Sequence, residues 1–125
     1  MSKIMVVDDG ELEAGYVKLM LVQSGVDESD VWIYNSFKAS QEAFRKSVGS
    51  WSGAVLDVLL ITGKDGITLG KYMREKSPDM PILFFTGYDL DATVGMRAEL
   101  ESIGSVLQKG SAAEDVVDKM RDLFN

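Results

Sequence analysis

The sequence predicts an open α/β sandwich in which five parallel strands alternate with five helices. Three observations lead there. Short apolar runs recur along the 125 residues, at 3–7, 31–35, 53–57, 82–85 and 105–107. Amphipathic stretches of helical length separate them, and a parallel pair of strands needs such a crossover. Three of the runs are almost continuously apolar, as strands covered on both faces must be.

The first run, Lys3-Ile4-Met5-Val6-Val7, stops at Asp8-Asp9. Residues 11–24 then place Leu12, Tyr16, Leu19 and Val22 at spacings of four and three, the apolar face of a helix, with Gly25 as its stop. The second run, Val31-Trp32-Ile33-Tyr34, is aromatic and β-branched, which favours a strand. Residues 37–48 return to helical spacing with Phe37, Phe44 and Val48, and end before Gly49. Gly53-Ala54-Val55-Leu56-Asp57 is the third strand, and the helix at 67–76 is stopped by Pro78, which cannot donate an intrahelical hydrogen bond. The fourth strand leads into Thr86-Gly87. Leu90, Val94, Arg97 and Leu100 mark the next helix, which Gly95 interrupts. The fifth strand ends just before Lys109. Ser111-Ala112-Ala113-Glu114 is a capping-box pattern that opens the last helix, with Val116, Val117, Met120, Leu123 and Phe124 as its apolar face.

Composition narrows the chemistry. Hydrophobic residues make up 46% and charged residues 26%, the balance of a single globular domain spanning 1–125. Cysteine and histidine are both absent, which excludes thiol catalysis, a Ser-His triad and a cysteine- or histidine-bound zinc. Thirteen basic against 20 acidic residues give a net charge of −7, unfavourable for direct contact with nucleic acid or an anionic membrane. There is no signal-peptide pattern and no run of membrane-spanning length, so a cytoplasmic location is expected.

In a parallel α/β sheet, ligands bind beyond the carboxyl ends of the strands. Asp8 and Asp9, Asp57, Thr86 and Lys109 all fall at that edge. Converging carboxylates repel one another and are tolerated where a divalent cation sits among them. An oxygen-only donor set points to a hard ion, with Mg2+ the best candidate. A carboxylate can also attack phosphorus to form an acyl phosphate, with a lysine, a hydroxyl and backbone N–H groups receiving the charge of the transferred group.

Five βα units carrying Asp8-Asp9, Asp57, Thr86 and Lys109 at these strand ends resemble the receiver domain of bacterial two-component response regulators. That resemblance covers essentially the whole chain. It implies a flavodoxin-like sheet of order 2-1-3-4-5. By position, Asp57 matches the phosphoacceptor, Asp9 the direct magnesium ligand, and Asp8 its neighbour acting through metal-bound water. The backbone carbonyl of Leu59 matches the remaining protein ligand, Thr86 the switch hydroxyl, and Lys109 the lysine that pairs with the phosphoryl group. The implied function is a phosphorelay switch rather than an enzyme. It takes a phosphoryl group from the phosphohistidine of a sensor histidine kinase or phosphotransfer protein and alters its surface towards a downstream output partner.

Three departures from the family pattern stand out. Val106 occupies a position usually aromatic, and Gly110 one usually proline. The segment from Leu59 to Gly66 lacks the usual proline and is one residue longer than is common. Leu59 and Tyr88, two residues beyond Asp57 and Thr86, are poor at activating water, which predicts slow loss of phosphate. Two rival activities fit less well. A haloacid-dehalogenase-type phosphatase needs an acid at position 59, and a flavin carrier needs a phosphate loop where Asp8-Asp9 stands. A third alternative is a receiver-like docking or dimerisation module that never cycles phosphate.

Overall fold

A computed structural model describes residues 3–58, 60, 65–92 and 94–125, with Asp65 described by its backbone. The chain order is β1 (Ile4–Val7), α1 (Glu11–Ser24), β2 (Val31–Tyr34), α2 (Phe37–Lys46), β3 (Gly53–Leu56), α3 (Asp65–Lys76), β4 (Ile82–Thr86), α4 (Met96–Glu101), β5 (Ser105–Gln108) and α5 (Ala113–Phe124). Short 3-10 turns at Glu28–Asp30 and Val48–Ser50 lead into β2 and β3. The five strands form one parallel sheet of order β2-β1-β3-β4-β5. This is the predicted flavodoxin-like architecture.

Register aligns the strand ends. Val7 pairs with Tyr34 on one side and Leu56 on the other, and Leu56 pairs with Phe84. Thr86 pairs with Gln108. The residues that follow these positions therefore emerge along a single edge.

Alternation along the central strands divides the core between two faces. Met5, Val7, Leu56 and Phe84 pack with Phe44 of α2, Leu69 and Met73 of α3, and Leu100 of α4. Ile4, Val6, Val55, Leu83 and Phe85 pack with Val17, Met20 and Leu21 of α1 and with Val116 and Met120 of α5. Both faces of β1, β3 and β4 are covered, so these strands cannot show the apolar–polar alternation of a half-solvated sheet.

Helix α1 faces the other way from its most conspicuous apolar stripe. Ala14, Val17, Met20, Leu21 and Ser24 are buried. Leu12 is 86% exposed and Leu19 52%, with Tyr16 and Val22 also at the surface. The helix carries apolar residues on two sides, and periodicity alone does not say which side meets the sheet. The stripe containing the small Ala14 and Ser24 does so, and small side chains permit close approach. Gly25 ends the helix as expected, its N–H reaching the carbonyls of Leu21 and Val22.

Two other elements differ from expectation. Helix α4 starts only at Met96, after a turn in which the Asp89 carboxylate accepts hydrogen bonds from the N–H groups of Asp91 and Ala92. Gly95, rather than merely interrupting a longer helix, stands at its N-terminal boundary. The capping box before α5 does not form. The helix begins at Ala113 with Ala112 as its cap residue, one position too late for Ser111 to cap it. Ser111 instead donates its hydroxyl to the Gln108 carbonyl at 2.7 Å and tightens the turn out of β5.

Candidate phosphoacceptor and metal site

The site is assembled by strand ends rather than by one continuous motif. Asp8 follows β1, and its N–H bonds to the Tyr34 carbonyl of β2. Asp57 follows β3, and its N–H bonds to the Val7 carbonyl of β1. The ladder thus continues one step past the regular strands and fixes the backbone beneath both carboxylates. Lys109 is held in the same way, its N–H bonding to the Thr86 carbonyl at 2.7 Å.

These backbones bring together charges far apart in sequence. Asp8, Asp9 and Asp57 each offer an oxygen within 4.8 Å of the others. Asp8 and Asp57 are buried, while Asp9 is more open to solvent. The Lys109 ammonium lies 3.1 Å from Asp8 Oδ2 and 3.3 Å from Asp57 Oδ2. Burial works against its charge, but the carboxylates of Asp57 and Asp8 outweigh that penalty and hold its pKa above the usual lysine value. One ammonium against three carboxylates leaves the cluster formally two charges negative, a setting that favours an added cation.

Thr86 is fully buried, and its hydroxyl oxygen accepts the Tyr88 N–H at 3.0 Å. Asp57, Thr86, Gly87, Tyr88 and Lys109 line a cleft of about 330 Å³. The cleft therefore joins a carboxylate oxygen, an ammonium and a hydroxyl around a volume large enough for a small tetrahedral anion. The Leu59 carbonyl lies outside the described residues.

Two contributors have no side-chain chemistry to advertise them. The Gly10 N–H donates to Asp8 Oδ1 at 2.9 Å, which orients that carboxylate so that its second oxygen meets Lys109. The Asp-x-Gly sequence is a turn signal that points to this bond. Gly66, in the first turn of α3, lies against the Asp57 carbonyl so closely that a Cβ there would overlap it, and its N–H reaches the Val58 carbonyl at 3.3 Å. That close approach requires glycine.

Position 110 also explains itself locally. Gly110 has φ of +96°, a left-handed conformation closed to proline, whose ring holds φ near about −65°. Val106 is half-buried and packs against the core face shared with α2, α3 and α4.

The donor set fits a hard divalent cation: three carboxylates, with no histidine or cysteine anywhere in the sequence. Mg2+ and Ca2+ share this preference.

Comparison with known proteins agrees with the geometry. No family model matches the chain. Over 75 residues it is 33% identical to the transcriptional regulatory protein CssR of Bacillus subtilis (strain 168), a match covering 60% of this chain. The matched region is about a third of that relative's length. Among solved structures, a CheY-like response regulator receiver domain protein from Methanospirillum hungatei JF-1 superposes with a TM-score of 0.76, at 21% identity over 98% of this chain and 92% of that one. A response regulator from Burkholderia pseudomallei, solved with a phosphorylated aspartic acid, a calcium ion and citrate, gives 0.74 at 20% identity over 100% of this chain and 67% of that one. The chain has the fold of response-regulator receiver domains.

Proposed function

We propose that this chain is a phosphoacceptor switch in two-component signalling, with Asp57 taking the phosphoryl group. The observation that carries the reading is the joint placement of Asp57 with Asp8, Asp9 and Lys109 at the carboxyl edge of the sheet, beside a cleft that Thr86 and Tyr88 also line. Fold likeness alone would not assign a reaction. The charges and the cleft supply the chemistry.

In this reading an Asp57 carboxylate oxygen attacks the phosphorus of a phosphohistidine on a partner protein. The new O–P bond forms as the P–N bond breaks, and the imidazole nitrogen leaves with the bonding electron pair. Lys109, already between Asp8 and Asp57, stays near the transferred oxygens and offsets their charge. The Thr86 hydroxyl proton is available to a phosphoryl oxygen while its lone pair keeps the Tyr88 N–H. Gly87 and the small cleft leave space for the approach.

Asp9, Asp8 and Asp57 are the side chains that would hold Mg2+, with the Leu59 carbonyl as a fourth protein donor. When bound, the ion would neutralise the acidic cluster and polarise the phosphoryl group. Presence of a phosphorylated aspartic acid and a calcium ion in the Burkholderia pseudomallei relative supports both halves of the reading. The chain itself carries the phosphoryl group and assists its own phosphorylation and dephosphorylation, so in this reading it is a phosphoacceptor switch rather than an enzyme. The partners are a histidine kinase or phosphotransfer protein upstream and an output protein or domain downstream. A cytoplasmic site of action follows from those partners. No helix among the described residues is long and apolar enough to cross a membrane.

The test is incubation with Mg2+ and acetyl phosphate followed by intact mass measurement. One added phosphoryl group is expected, lost in Asp57→Asn and absent without the cation. If no adduct forms and Mg2+ does not bind, the chain is instead a receiver-like docking or dimerisation module.

A further inference from the structure

At the opposite end of the sheet, both tryptophans of the chain meet around one lysine. Lys3 Nζ lies 4.3 Å from the Trp51 ring centre and 5.2 Å from that of Trp32. Tyr34 closes the group, meeting Trp51 edge-on with ring centres 6.3 Å apart. These residues form one wall of an open groove of about 470 Å³. Its other wall is α2, where Ala39, Glu42, Ala43 and Lys46 recur at helical spacing and the two alanines leave the room.

The groove has an electrostatic direction. Lys3 and Lys46 lie along it, and Lys3 has no carboxylate partner among the described residues. Lys46 has only the exposed Glu42 at 3.9 Å. The Trp51 indole N–H is buried and has no acceptor among the described residues, and buried donors of this kind are normally satisfied. Trp32 keeps 47% of its surface exposed on the edge strand, where a large apolar ring gains from being covered. What the groove holds in excess is positive charge and an uncovered aromatic face. A negatively charged, planar molecule supplies what each of these lacks.

We propose that this groove binds a small aromatic anion, its ring stacked on Trp32 and its carboxylate or phosphate held by Lys3 with Lys46. The site is separate from the acidic cluster: its residues come from the edge strand β2, from the residues that lead into β1 and β3, and from α2 with its end, and none belongs to the cleft at Asp57. It therefore stands or falls independently of the phosphoacceptor reading.

Because the chain has only two tryptophans and both line the groove, their two indole N–H resonances report on it alone. The full chain, labelled with nitrogen-15, is titrated with benzoate, adenosine monophosphate, benzyl alcohol and adenosine. Saturable shifts are expected with at least one anion, and the tighter of the two identifies carboxylate or phosphate as the recognised group. The uncharged partner of that anion should bind at least about tenfold more weakly, because it loses the charge-assisted contact. Lys3→Met should weaken the anion by a similar factor. Trp32→Ala, at an exposed position, should abolish the shift of the remaining Trp51 resonance. The proposal is overturned if no anion produces a saturable shift, if the uncharged molecules bind equally well, or if binding survives in both variants.

Discussion

The Lys109 ammonium reaches across the end of β4 to within 3.3 Å of an Asp57 carboxylate oxygen, while also bonding Asp8. A residue from the end of β5 thus answers charge from the ends of β1 and β3. In the absence of a cation, this ammonium is the cluster's own counter-ion. A divalent cation bound at the site proposed above would compete with this lysine for the same carboxylates.

That competition gives opposite signs to two measurements on one variant. Lys109→Met should bind Mg2+ more tightly than the unaltered chain, because the rival positive charge is gone. The same variant should take phosphate from acetyl phosphate about 100-fold more slowly, as when one charge-stabilising donor is removed from an active site. Asp9→Asn should weaken Mg2+ binding about tenfold or more without loss of the fold. Calorimetric titration and timed mass spectra check these outcomes. Weaker Mg2+ binding in Lys109→Met would show that the lysine does not compete.

Stability against alkali should follow from the same contacts. The folded pKa of Lys109 is raised, so its charge favours the folded state. That contribution is fully present below the unfolded lysine value and is lost as pH rises through the higher folded value. Thermal melts should therefore show no Lys109 effect on slope across neutral pH. A fall in stability above about pH 10.4 is expected in the unaltered chain. Lys109→Met should lack that part of the fall, seen as a shallower drop in melting temperature.

Tyr88 is expected to slow the loss of phosphate. It lines the Asp57 cleft, and its backbone is tied there through its N–H to the Thr86 hydroxyl. A ring there limits the approach of water. Tyr88→Ala should shorten the phosphoryl lifetime by about three- to tenfold, measured as decay of the mass adduct in Mg2+ after removal of the donor. A lifetime of seconds in the unaltered chain would contradict the idea.

The exposed stripe of α1 yields a stability test. Replacing Leu12 and Leu19 together by serine should change the unfolding free energy by less than about 0.5 kcal/mol per site, since both side chains are largely in solvent. Val17→Ala, on the buried face, should cost about 1–3 kcal/mol. Urea unfolding followed by circular dichroism separates the two outcomes.

The strands and the residues at their carboxyl ends were legible in the sequence for one physical reason. A doubly covered strand is apolar throughout, so a lone Asp57 or the Asp8-Asp9 pair at its end is conspicuous. Lys109 and Thr86 became readable only through their shared place at the strand ends with the acidic residues, because either alone is an ordinary surface or strand residue. Less was legible where packing decides. Nothing in the spacing of Leu12, Tyr16, Leu19 and Val22 distinguishes a buried face from an exposed one, and the helix turned its other side inward. The capping box failed by one residue, a shift set by the turn out of β5. Gly10 and Gly66 act through backbone, where residue type carries little chemical signal.

The contact between Gly66 and the end of β3 has a further consequence. The Gly66 N–H meets the Val58 carbonyl and its α-carbon rests on the Asp57 carbonyl, so the chain comes back to its own point of departure after only a few residues. Both ends of the intervening segment are anchored to the same spot. Changing the segment's length costs little loop-closure entropy and need not displace Asp57. The length of that segment and the place of the Asp57 carboxylate are thus set independently.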